Sequence, residues 1–154
     1  MIEKRLEGVV IDNLKTALSD VTGLQIIGMW QTVGAEEVKA EEEKPSAVLA
    51  VKAYPRSYET PTIPYAEIQL EISLAVRSDT DFNGANYLSI TEKISDVLQE
   101  WQNDFSSLDC FSLLGAFNIT GFNLTGGDCG LDKDNCIWQY SQGFTIYGII
   151  EKNN

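Results

Sequence analysis

Histidine is absent from the 154-residue chain. Without imidazole there is no Ser-His or Cys-His nucleophile pair, and no side chain whose ordinary titration falls near neutral pH. Metal sites that need an imidazole nitrogen are excluded as well. Cysteine is scarce: Cys110, Cys129 and Cys136 are an odd number with no CxxC spacing. That pattern fits neither a disulfide scaffold nor a zinc ribbon. Cys129 and Cys136 bracket one loop and can pair if it is a hairpin tip. The plainer expectation is three free thiols in a reducing cytoplasm. Basic residues are few, with Lys plus Arg 11 against Asp plus Glu 23, a net charge of −12. A surface of that sign repels phosphate, so a nucleic-acid grip is disfavoured unless the cations cluster. No stretch approaches the ~18 apolar residues of a membrane helix. The charged start, Met1 to Glu7, has no apolar run behind it and does not read as a signal peptide.

What is present reads as one α+β domain spanning 1–154. Hydrophobic residues are 44% and charged residues 22%, enough apolar material for a core and too little charge for wholesale disorder. Ile2, Leu6, Val9, Val10, Leu14, Ala17 and Leu18 recur at three- and four-residue steps, which predicts a helix over 2–19. Glu3, Arg5, Glu7, Asp12 and Lys15 are expected on or beside its polar side, and Gly23 just past its end. Residues 24–30 form a short apolar strand. Residues 31–46 carry Glu36, Glu37, Glu41, Glu42 and Glu43 and no apolar face, which predicts a solvated loop or arm. Residues 47–54 are apolar on both faces, as in a strand inside a sheet.

Pro55, Pro61 and Pro64 predict a stiff protruding loop over 55–64. Ala66, Ile68, Leu70, Ile72, Leu74 and Val76 then alternate with Glu67, Gln69, Glu71, Ser73 and Ala75, the period of a long half-buried strand. The strands on either side of the proline loop are expected to pair as a hairpin. A cap-rich turn precedes a second helix over about 84–103, striped by Tyr87, Ile90, Ile94, Val97, Leu98 and Trp101. Acids from Asp79 to Asp109 face Lys93 alone and are expected on its outer side. The last third reads as a second long hairpin with a Gly/Asp-rich tip at 126–136, and Gly143 as a bulge or bend. The order α-β-β-β-α-β-β predicts two helices on one face of a largely antiparallel sheet. The other face, with Glu67, Gln69, Glu71 and Ser73, is left to solvent or a partner.

No constellation names a reaction, so no catalytic residue, metal or cofactor is assigned and a non-enzyme is expected. Glu67 and Glu71 share a strand face at a spacing of about 13 Å, too wide for a glycosidase carboxylate pair. Asp128, Asp132, Asp134 and Asn135 offer oxygen ligands without the spacing or terminal Glu of a calcium loop. Gly126-Gly127 lacks the Lys-Ser/Thr of a phosphate loop. Trp30, Tyr54, Tyr58, Tyr65 and Trp138 can stack bases, but the acidity argues for core or interface. Lys52 and Arg56 are too few for an electrostatic track. The residues retained as interaction candidates are Glu36, Glu37, Glu41, Glu42, Glu43, Arg56, Tyr58, Glu67, Gln69, Glu71, Asp128, Asp132 and Asp134.

The element order, the hairpin at 47–77 with its long tip, the helix opening after an acidic turn and the closing hairpin to Ile150 together resemble the tail terminator and tail-completion proteins of long-tailed bacteriophages. The resemblance is one of architecture over nearly the whole chain, with no fixed motif. The Glu-rich insertion at 36–43 and the tip at 127–135 depart from the family. It implies a structural virion protein, assembled in the bacterial cytoplasm as a ring, hexameric in that family. Such a ring ends tail-tube growth and joins tail to neck, with DNA passing its acidic wall unbound. The alternative reading is an adaptor that holds one partner on its polar sheet face or hairpin tips.

Overall fold

Helix α1 (Ile2–Ala17) leads into strand β1 (Leu24–Gly28), and β2 (Ala47–Ala53) and β3 (Tyr65–Arg77) follow. Helix α2 (Ala85–Asn103) and the strands β4 (Phe117–Asp132) and β5 (Ile137–Ile150) come next. The computed structural model describes residues 2–30, 46–55, 65–105 and 117–150. The five strands form one sheet in the order β1-β2-β3-β5-β4. β1 runs parallel to β2, and every other pair is antiparallel. This is the α+β class expected, with α1 and α2 on one face of a mostly antiparallel sheet.

The period-two pattern of β3 sets which face is inside. Ala66, Ile68, Leu70, Ile72, Leu74 and Val76 are all buried, and their cross-strand partners share that face. Leu49 and Val51 of β2 and Phe144 and Ile146 of β5 extend the same layer. Onto it α1 lays Leu6, Val10, Ile11 and Leu14, while α2 lays Tyr87, Ile90, Ile94, Leu98 and Trp101. Each large side chain removed from water contributes about 1.5–3 kcal/mol of transfer free energy, which is what holds the two layers together.

Two acids on α1 are not where spacing put them. Glu3 and Glu7 are both fully buried, not on the polar side of the helix. The Glu7 carboxylate accepts the backbone N–H of Trp30 at 2.7 Å and that of Ala53 at 3.2 Å. It thus ties the end of β1 to the end of β2 through side-chain oxygens. Trp30 closes the same corner by donating its indole N–H to the Ala53 carbonyl at 2.7 Å. Gly28 makes room for this. A Cβ there would stand 2.3 Å from Glu7 Oε1 and 2.7 Å from Ile11 Cδ1.

α2 is anchored at both ends. Asp81 is buried, and its two carboxylate oxygens accept the N–H groups of Asn86 at 3.1 Å and Tyr87 at 2.8 Å. This places an acid at the positive end of the helix instead of on its outer side. The Trp138 ring lies against Gly84, donates its N–H to the Asp81 carbonyl at 3.0 Å and stacks on Tyr87 at 5.6 Å. Gly84 adopts φ +72°, a left-handed conformation in which a Cβ would also meet that ring. At the other end Trp101 meets Phe122 and Phe144, which stack at 5.3 Å. Asp81→Ala is expected to cost about 1–2 kcal/mol through the lost cap. Urea unfolding would show it, and a change under 0.5 kcal/mol would remove Asp81 from this role.

Lys93 of α2 makes an ion pair with Asp20 after α1. The hydrogen bond from Lys93 holds the Asp20 carboxyl below its usual range. The depressed value means that this contribution is present above the ordinary carboxylate range and lost as pH falls through the folded value. NMR titration is expected to show the Asp20 transition move upward in Lys93→Ala; an unmoved transition removes the pair as its cause.

The final hairpin differs from expectation. Residues 126–136 do not form a protruding loop: β4 continues through Gly126 to Asp132, and the turn is confined to Lys133–Cys136. β5 is long enough to pair with all of it, and bulges between Ile119 and Gly121 and between Leu124 and Gly127 absorb the register mismatch. Gly143 faces the second bulge, where a Cβ would sit 2.5 Å from Thr125 Oγ1. In this register Cys129 lies opposite Tyr140, while Cys136 is in the turn at φ 54°. The two therefore do not pair; both are free and exposed. Cys110 lies outside the described residues.

Candidate interaction face

Among the described residues nothing covers the second face of the sheet. Its side chains follow from the register in cross-strand rows. Lys52, Glu71 and Gly143 make one row; Ala50, Ser73, Ser141 and Asp128 the next. Val48, Ala75, Gln139 and Gly130 form a third, and Arg77, Ile137 and Asp132 a fourth. The two middle rows are built mostly of Ala, Ser, Val and Gly, and longer side chains stand on both sides. The result is an open trough of about 480 Å³ across β2, β3, β5 and β4. Farther along the same face Gln69, Thr145 and Asn123 form a polar row. Thr145 is buried there, which strand alternation alone did not predict.

The charges of the face are largely arranged by local bonds. Glu71 accepts the Ser73 hydroxyl at 2.9 Å and the Tyr54 hydroxyl at 3.3 Å. Burial first, and then the Glu71 carboxylate, push the Tyr54 phenol above its usual range. Lys52 stands 5.5 Å from the centre of the Tyr54 ring and opposite Glu71 in register. Arg77 forks onto Asp79, with Nε donating to Oδ1 at 3.1 Å, and this hydrogen bonding holds the Asp79 carboxyl low. Both cations of the face are thus matched by a neighbouring acid.

The β4 side stays acidic. Asp132 accepts the Asn135 side-chain N–H at 2.8 Å and the backbone N–H groups of Asn135 and Asp134 at 3.2 and 3.1 Å. Those bonds hold its carboxyl below the usual range. Asp128 accepts its neighbour's N–H, that of Cys129, at 2.8 Å and is exposed. Beneath this edge, burial and then the nearby Cys129 thiol raise the phenols of Tyr87 and Tyr140.

The structure brings Asp128 and Asp132 into the lining of one trough, sets Glu71 in the cross-strand row beside it and places Asp134 in the turn at its end. Glu67 and Gln69 lie on the same face but farther along β3. Glu36, Glu37, Glu41, Glu42, Glu43, Arg56 and Tyr58 lie outside the described residues. Sequence reasoning missed the floor of the trough. Its signal was present as small residues at the polar-parity positions of three strands, Val48, Ala50, Ser73, Ala75 and Ser141. Among the described residues no three His, Cys, Asp or Glu side chains gather to hold a metal ion. No described helix is long and apolar enough to cross a membrane. The acids of the face are spread along the sheet, Glu71 against the hydroxyls of Ser73 and Tyr54, and Asp128 and Asp132 along β4.

Fold and face together define a two-layer α+β domain whose second sheet face is open among the described residues. No family model matches the chain, and no curated protein is detectably similar to it.

Proposed function

We propose that this protein is a structural component of a long-tailed phage or phage-derived particle, a ring-forming tail terminator or neck protein that ends tube growth and joins tail to head. The observation that carries the reading is the open sheet face together with β4, a 16-residue strand at the sheet's edge. Long edge strands with unpaired backbone groups invite pairing and are usually short or blunted in monomers. An assembly subunit uses such surfaces, and a ring needs two different patches that meet and close. The net charge of −12 suits a wall past which DNA slides.

The test is electron microscopy of particles made with and without this protein. Tubes of uncontrolled length without heads are expected in its absence. Normal-length tails joined to heads would overturn the reading. The trough favours a second reading, an adaptor that seats one partner chain. A pull-down that returns one host protein and no virion component would select it.

A further inference from the structure

Of the two strands at the edges of the sheet, β1 has 5 residues and β4 has 16. Between the bulge at Leu124 and Gly127 and the turn at Lys133, the segment from Gly127 to Asp132 runs straight, paired residue for residue with Ile137 to Gln142. Every residue from Thr125 to Leu131 is exposed. The Cys129 N–H is bonded to the carboxylate of Asp128 at 2.8 Å. It therefore points off the free edge and not into the β5 ladder, and strand alternation turns the backbone groups of Gly127 and Leu131 the same way. Among the described residues no strand lies on that side. The side chains alternate too. Gly127, Cys129 and Leu131 take the helix-side face, and Asp128, Gly130 and Asp132 the open face.

We propose that β4 adds, antiparallel, to β4 of a second copy on a two-fold axis through Cys129. The signs and sizes of the side chains select this register. Directly opposed residues of an antiparallel pair share a face, so the axis passes through a residue. An axis at Asp128, Gly130 or Asp132 sets acid directly opposite acid, which is unfavourable. An axis at Gly127 or Leu131 runs each strand into the bulge or the turn of the other. At Cys129, Asp128 comes opposite Gly130 and Leu131 opposite Gly127, so each of these side chains meets a residue that has none. Leu131, 39% exposed, gains cover there. The outward groups of Gly127, Cys129 and Leu131 then exchange about six backbone hydrogen bonds. The contact is isologous and closes on two copies. It does not rest on the ring reading, and it leaves the open sheet face free. Asp128 is the latch. Its carboxylate gives up the Cys129 N–H before the edge can pair, and across the axis it stands diagonally from the same acid of the other copy.

The test is sedimentation velocity over a range of concentrations, joined to thiol cross-linking by diamide, which takes up the two hydrogens lost as a disulfide forms. Across the axis the two Cys129 Cα atoms stand about 5.5 Å apart, within the roughly 4.4–6.8 Å that a disulfide spans. Cys136, also exposed but in the turn, is the internal control. The expected result is a two-copy species whose leading cross-link joins Cys129 to Cys129. Leu131→Pro removes an outward N–H and leaves the β5 ladder whole, and it is expected to associate at least about tenfold more weakly. Asp128→Ser releases the Cys129 N–H and removes like charges from the axis, and it is expected to associate about threefold or more tightly. Native association is expected to strengthen as salt rises, because the charges that meet are alike. Circular dichroism verifies that both variants are folded. A native chain that stays single at every concentration overturns the proposal. So do pairs in which Cys136 links as readily as Cys129, or an Asp128→Ser variant that associates no better than the native chain.

Discussion

Glu7→Ala is expected to destabilise the fold by about 2–5 kcal/mol, a large share of what a domain of this size has to lose. The reason is the asymmetry of buried hydrogen bonds. Glu7 is fully buried and satisfies the N–H groups of Trp30 and Ala53. Truncation leaves both donors facing apolar surroundings, at about 1–3 kcal/mol each. It also opens a cavity beside Ile11. Glu7→Gln is expected to lose less, because one oxygen still accepts while the amide nitrogen turns a donor toward a donor. Gly28→Ala is expected to act on the same contact by displacing the carboxylate, and its effect together with Glu7→Ala is expected to fall short of the sum. Urea unfolding of the three variants measures this. A Glu7→Ala variant within 0.5 kcal/mol of the native chain (about the size of an ordinary surface substitution) would sink the account.

Phe144→Ala is expected to cost about 3–5 kcal/mol. Phe144 is 1% exposed and lies between α2 and the final hairpin, stacked on Phe122 and tilted against Trp101. Its loss leaves Trp101 of α2 against Phe122 alone and so weakens the hold of α2 on β4, the strand at the sheet's edge. The consequence is local as well as global. Amide exchange is expected to accelerate first in β4 and at the C-terminal end of α2, before β2 and β3 respond. Phe144→Leu, which keeps most of the volume, is expected to recover much of the loss. Uniform acceleration throughout the sheet would instead show that the hairpin and the central strands open as one unit.

The central features were legible because they depend on short-range periodicity. β3 alternates without a break, so both its existence and its buried face were readable from the residues themselves. α1 and α2 were equally plain, since each carries one apolar stripe. The end of the last hairpin was misread for a physical reason. Gly126, Gly127 and Gly130 are turn residues by local preference, but an edge strand tolerates them when a long partner supplies the hydrogen bonds. Asp81 read as part of an acidic surface, yet it caps α2, because the turn folds its carboxylate back onto the helix amides. Of the candidate site, the polar residues of β3 were visible as a face. The trough was not, since it exists only where three strands bring their small residues into register.

Composition and periodicity alone determined that this chain has two amphipathic helices and a half-buried sheet, and that imidazole chemistry is closed to it. Burial of apolar stripes is a local demand, written in every third, fourth or second residue. Only the tertiary structure decided the signs of its surfaces. Glu7, drawn into the core, satisfies the N–H groups of Trp30 and Ala53, and Glu3 is buried with it, so two acids of α1 leave its surface. Net charge is a sum over residues, but the field at a surface depends on which of them water can reach.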